Sequence, residues 1–343
     1  MPSRIDFPIL APDVATGHTI VLPGLGECRV HGRDEGSYND VFHIQTPPGE
    51  HFIYKASQRP LEEEVARDLC RQLRDYVKEL AKLGVDVPDP DQVRFGLTIK
   101  VTEGMVHLVE IAPFSGPSAQ TLLSQAQLVT EACEHTRRMI RCFRPMFLAS
   151  QVGEFLEVGI DPIPRNLCAD GRRMKYIDFF FPKLYQTTTG MFNLEAIHPK
   201  DKVTYDIGCW RHYHKVGILW VFLIQLCRLR PELKRAFEAT MLAMLSENRL
   251  LRDVQLGVSD YIDEFQKMDL DDYLRDIQTW TFQDIYKLRA GACELAYRGV
   301  MVQSELESFF SLSHFQHEAL TDAKIQELRD FLTQRIRKVI APK

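Results

Sequence analysis

The stretch "DPIPRNLCADGRRMKYIDF", residues 161 to 179, decides how this chain is read. Asp161 is followed five residues on by Asn166, then by a turn, then by Asp178 inside an apolar run. The turn "GRR" returns the chain along "MKYIDF" as a hairpin, which brings Asp178 back beside Asn166. A charged aspartate inside "YIDFFF" is costly to bury unpaired, and a bound cation removes that cost.

Upstream of this stretch the elements alternate. The runs "YNDVFHIQTP" and "EHFIYKAS" flank the turn "PPGE" as an antiparallel hairpin, and "QVRFGLTIKVTEGMVHLVEIAPF" gives two more strands around "TEG". Between the pairs, "PLEEEVARDLCRQLRDYVKELAKLG" reads as an amphipathic helix with Val65, Leu69, Leu73, Tyr76 and Leu80 on its stripe. It has a proline at its start, acidic residues in its first turn and a glycine after its end. The segment "FSGPSA" connects to a helix from about 119 to 142. Downstream of the hairpin (165 to 180), "CWRHYHKVGILWVFLIQLCRLRP", "ELKRAFEATMLAMLSENRLL", "TFQDIYKLRAGACELAYRGV" and "TDAKIQELRDFLTQRIRKVI" are helical. The expectation is an α+β chain, with a β-rich part carrying one helix over residues 1–112 and a larger helical part over 113–343.

The 343 residues, 45% hydrophobic and 26% charged, suffice for two cores. A net charge of −5 predicts no general pull toward nucleic acid or an anionic membrane. The longest apolar run, "VGILWVFLIQLC", is far short of the roughly twenty residues that a bilayer span needs. The N-terminus lacks the apolar core of a signal peptide. Eight cysteines scattered without paired spacings read as reduced thiols, so a cytoplasmic setting is expected. There is no internal repeat.

Phosphoryl transfer from ATP requires a carboxylate at the attacking hydroxyl, oxygen ligands for Mg²⁺ and a cation on the phosphates. Asp161 can supply the first, Asn166 and Asp178 the second, and Lys55 of "FIYKAS" the third. One amide and one carboxylate suit Mg²⁺, which keeps phosphate oxygens and water as its other ligands.

"DPIPRN" with "YIDF" twelve residues on resembles the D-x-x-x-x-N and I-D-F elements of the aminoglycoside phosphotransferase and choline kinase family, relatives of protein kinases. "GSYNDVFHI" is similar to that family's nucleotide loop, "FIYKAS" to its lysine strand, and "MVHLVEIAPF" to the strand that leads into its adenine-holding hinge. The resemblance covers roughly residues 30 to 230. It implies a bilobal protein kinase-like fold, ATP and Mg²⁺ as cofactors, and a small hydroxylated molecule as acceptor. It makes Asp161 catalytic, Asn166 and Asp178 metal ligands, and Lys55 the lysine on the phosphates. Ser37 and Asn39 fall in the nucleotide loop, and the hinge near Glu110 to Ala112. For the helix glutamate that partners the lysine, Glu64 fits the pattern with "DLCRQL", while Glu62 lies on the stripe three residues before Val65; Glu64 is preferred.

There are departures. The family's histidine two positions before the catalytic aspartate is Gly159 here, which lends support to a nucleotide-binding pseudokinase. The nucleotide loop has one glycine, Gly36, and "FFFPKLYQTTTGMFNLEAIHP" contains no A-P-E, which weighs against a protein kinase. The segment 259 to 280 carries seven carboxylates from Asp260 to Asp276 and would attract a cationic substrate, although such runs are more often solvated helix faces. Cys209, His212 and His214 lack zinc-site spacing, and "GLGE" at 24 to 27 reads as a turn.

Overall fold

The computed structural model describes residues 6–8, 16–35, 39–58, 60–98, 104–149, 154–180, 182–184, 211–280, 285–313 and 321–340. The chain divides into two compact units, Met1–Gly116 with Lys175–Pro182, and Pro117–Met174 with Lys183–Lys343. The division therefore falls at 116 rather than 112, and eight residues after the hairpin turn group with the first unit. The cause is aromatic packing within that unit. Phe179 meets Tyr76 and Phe95 edge-on, and the Tyr176 N–H donates to the Asp86 carbonyl at 2.8 Å.

The first unit is built on a seven-stranded sheet. Its strands are β1 (Asp6–Phe7), β2 (Thr19–Leu22), β3 (Gly26–Glu35), β4 (Asn39–Gln45), β5 (His51–Ser57), β7 (Arg94–Thr98) and β9 (Leu108–Pro113), in the order β1-β7-β9-β5-β4-β3-β2. Only β1 on β7 is parallel among these neighbours. The short strands β6 (Leu61–Glu62) and β8 (Met105–Val106) pair separately. One sheet face buries Phe7, Leu22, Val30, Phe42, Ile44, Tyr54, Val109 and Ile111 as a single cluster. The buried Tyr54 hydroxyl donates to the Pro8 carbonyl at 2.7 Å, tying the N-terminal strand down. "GLGE" is indeed a turn, with Gly24 and Gly26 at φ of 75° and 77°.

Helix α1 (Glu63–Lys82) carries the expected acidic first turn, but its buried stripe is Ala66, Cys70, Leu73, Tyr76, Val77 and Leu80. Val65, expected on that stripe, is 47% exposed. The helix packs on β7, where the Arg74 guanidinium donates to the Phe95 carbonyl at 2.9 Å.

The second unit holds nine further helices among the described residues: α2 (Ala119–Gln125), α3 (Val129–Ala149), α4 (Lys215–Leu229), α5 (Lys234–Ser246), α6 (Arg252–Lys267), α7 (Leu270–Thr279), α8 (Ile285–Tyr297), α9 (Gln303–Leu312) and α10 (Asp322–Ile340). The helix expected at 119–142 is two. Arg230 takes the Leu123 and Ala126 carbonyls at 2.9 and 2.7 Å, and so closes α2 with a side chain. The apolar run at 216–227 is the centre of the unit: α4 is buried on nearly every side and packs against α5, α6 and α8. No described helix is long and apolar enough to cross a membrane. A curled antiparallel sheet with one helix, followed by a mainly helical unit, is the α+β architecture expected of a kinase-like fold.

Candidate functional site

In the first unit the site is set by strand register. β5 and β9 run antiparallel with Lys55 opposite Glu110, so the two side chains leave the same face of the sheet. Tyr54 and Ile111, one residue along, point to the apolar cluster on the other face. Lys55 Nζ lies 3.1 Å from Glu110 Oε1 and donates to the Ile177 carbonyl at 2.6 Å. Asp178 follows directly in the chain. Glu110 is fully buried; neither of its oxygens has a hydrogen bond of good geometry, and Oε1 has only the ion-pair contact. Burial pushes its carboxyl pKa up, Lys55 pulls it down, and Asp178 adds to the rise.

This corrects two expectations. The carboxylate on Lys55 is Glu110 of the neighbouring strand, not Glu64. Glu64 is exposed in the first turn of α1, because the helix buries the face of Ala66 and Cys70 instead; Glu62 is exposed as well. Nor is Glu110 a hinge residue, since it is paired with Lys55 on one side and Phe95 on the other. Ala112 is still within β9, opposite Ile53, and the strand runs on to Pro113. Asn39 opens β4 opposite Ser57, and Ser37 lies outside the described residues.

In the second unit, residues 154–160 run extended between two other segments. The Gly159 N–H donates to the Lys183 carbonyl at 2.8 Å, and the Ile160 N–H to the His212 carbonyl at 3.0 Å. A β-carbon at Gly159 would stand 2.4 Å from the His212 carbonyl oxygen and 2.9 Å from the Tyr213 ring. The position that the resembling family fills with histidine has no room for a side chain here. Beyond it, Pro164–Asn166 forms a single 3₁₀ turn, and the Asn166 amide donates to the Asp161 carbonyl at 3.2 Å. That bond closes the loop and commits the amide nitrogen of Asn166 to the backbone. The chain then forms the expected hairpin, β10 (Leu167–Asp170) and β11 (Arg173–Tyr176), with Gly171 at φ 55°.

Arg211, which the sequence reading did not select, donates to Asp161 Oδ1 at 2.7 Å, with both side chains about 15% exposed. Burial would raise the Asp161 pKa, but Arg211, with His212 and Lys183 nearby, holds the carboxyl well below the usual range. Burial drives the His212 imidazole down to about 3, so it is neutral near pH 7 and Arg211 is the cation that keeps Asp161 ionised. The only sequence signal for Arg211 was its place in "CWRHYH". Its histidines do not converge on a metal: His212 faces the Ile160 carbonyl at 3.0 Å, while His214 caps α4 through the Gly217 N–H and meets Glu154 at 3.1 Å. Cys209 lies outside the described residues. Among the described residues no group of three or more His, Cys, Asp or Glu could hold a metal ion.

Three carboxylates of the acidic run have a local role. Asp269 caps α7 through the Asp271 N–H, and Asp271 and Asp272 sit in that helix's first turn, where its dipole favours negative charge.

No family model matches this chain. No curated protein matches it either. Among solved structures, that of vaccinia related kinase 3 aligns over 96% of this chain and 93% of its own, with a TM-score of 0.37 and 10% identity. At that level the likeness says nothing about activity.

Proposed function

We propose that this chain is an ATP-dependent phosphotransferase that moves a phosphoryl group to the hydroxyl of a small molecule, on the plan of the aminoglycoside phosphotransferase and choline kinase family. The observation that carries the reading is Lys55, a buried cation held against the peptide that precedes Asp178. It supports the reading because the cation and the carboxylate that the reading assigns to phosphate and metal belong to the same unit. The second unit contributes the loop in which Asn166 and Asp161 are tied to each other.

The residues fit Mg²⁺ and nucleotide. Asp178 of the first unit and Asn166 Oδ1 of the second are each the kind of hard oxygen ligand that Mg²⁺ takes when phosphates and water supply the rest. Bound Mg²⁺ would neutralise charge on the phosphate oxygens. Lys55 donates to those oxygens as a point charge. Asp161, kept ionised by Arg211, accepts the hydrogen bond of the acceptor hydroxyl and orients it; so depressed a carboxyl is a weak base, and positioning is its main contribution. The buried free thiols agree with a cytoplasmic enzyme.

A second reading, a nucleotide-binding regulator without transfer, is favoured by one observation: the Asp161 carboxylate is already engaged by Arg211. The two separate in a pair of measurements. Thermal shift with ATP and Mg²⁺ should rise saturably in the native chain and vanish in Asp178→Ala; no shift in the native chain ends both readings. Phosphate transfer to a panel of hydroxylated amines, sugars and antibiotics should then be found, and should fall by orders of magnitude in Asp161→Asn with little change in nucleotide affinity. Binding without transfer selects the regulator.

A further inference from the structure

We propose that Glu110 is the positioning residue for Lys55, so that the lysine is set by the sheet itself and does not depend on helix α1. The inference rests on the phosphotransferase reading for its functional meaning and on geometry alone for the pairing. Lys55 and Glu110 are directly opposed in the ladder between β5 and β9, two adjacent strands inside the seven-stranded sheet. Their charged atoms are 3.1 Å apart, Glu110 is fully buried and Lys55 is 8% exposed. A second bond, to the Ile177 carbonyl, fixes the ammonium from another direction.

The alternative is a carboxylate from α1, and neither candidate serves. Glu64 points to solvent. Glu63, its neighbour, is bonded to Arg67 along the helix surface. A lysine held by a helix is released when the helix swings. A lysine held across a ladder moves only if two strands part, so this chain lacks that switch and keeps Lys55 ready at all times.

The test uses the full chain and a readout independent of catalysis. Lys55 is labelled with a small amine-reactive reagent between pH 6 and 9, and its modification is followed by mass spectrometry in the native chain, Glu110→Gln and Glu64→Gln. Removing the counter-charge favours the neutral amine, so labelling of Lys55 should accelerate about tenfold in Glu110→Gln and stay within about twofold in Glu64→Gln. Equal labelling in all three, or acceleration only in Glu64→Gln, overturns the proposal. Should Glu110→Gln fail to fold, Lys55→Met, Glu110→Met and the double variant replace it. The double should melt well above the temperature expected from adding the two single losses, and additivity overturns the pairing. ATP with Mg²⁺ is added last. A native chain that shows the labelling difference but no protection of Lys55 by nucleotide keeps the pairing and removes the phosphotransferase reading; protection that Glu110→Gln weakens about tenfold supports both.

Discussion

Asp161 and Arg211 form a pair that is mostly removed from water, and its energetics are asymmetric. Two charges taken from solvent together can break even, whereas one left behind is costly. Arg211→Ala should therefore destabilise the chain by about 3 kcal/mol, and adding Asp161→Ala should recover part of that loss in the same denaturant titration. Equal losses in the single and double variants would show that Arg211 acts by packing. The pair also marks where sequence reading stopped. Asp161 and Asn166 stand five residues apart and announce themselves, but Arg211 is fifty residues further on and becomes a partner only once 154–160 lies beside 211–214. The same holds for Lys55, whose partner is fixed by a ladder register that no local pattern encodes.

Helices and hairpins were more legible than their exact faces. The hairpin around "PPGE" and the one around Gly171 follow from turn chemistry, which is local. The period of helix α1 places Leu73, Tyr76 and Leu80 on the buried face, as observed, but in its first two turns the face is Ala66 and Cys70 rather than Val65 and Leu69, because the small residues let the helix approach β7. The break after α2 depends on Arg230, more than a hundred residues away, and α9 has too few apolar residues in too short a span to stand out. Gly159 carries a prediction at this scale. The extended segment it belongs to passes the His212 backbone and the Tyr213 ring too closely for any β-carbon, so Gly159→Ala should lower stability by about 1–3 kcal/mol. Hydrogen exchange should quicken at Ile160 and Gly159 first. Restoring the histidine found in the resembling family should be worse than alanine, since its ring would need the volume that Tyr213 fills.

Among the described residues, two carboxyls lose enough water on folding to be pushed above the range where carboxylates usually titrate. Glu294 accepts from the Trp220 ring N–H at 3.1 Å and the Tyr273 hydroxyl at 2.8 Å, but burial outweighs both bonds and raises its pKa above the ordinary 4.5. Glu110 shifts the same way in the other unit. A folded pKa above the unfolded one means that the native state holds more protons in that window. The contribution to stability is then fully present below about 4.5 and lost as pH rises through the folded value. Asp161 works oppositely, and only at much lower pH. Melting temperature against pH should thus slope downward above pH 4.5 in the native chain and less steeply in Glu294→Gln, whose amide oxygen still accepts from the Trp220 N–H while its NH2 donates to the Tyr273 oxygen; Glu110 keeps the remaining slope. A parallel slope in the variant would place the titration elsewhere.

The two residues of β1 have a consequence for solubility. They lie parallel along β7 at the rim of the sheet, with Phe7 in the apolar cluster and the Pro8 carbonyl bound by Tyr54. A chain shortened to begin at residue 16 would keep every group discussed in the two units' chemistry. It would also bare the outer edge of β7, a row of unpaired amides and carbonyls beside a hole the size of a phenyl ring. Such an edge is a template for a strand from another copy. Asp6 and Phe7 thus cover that edge, and a chain lacking them should show self-association by light scattering before any change in rate.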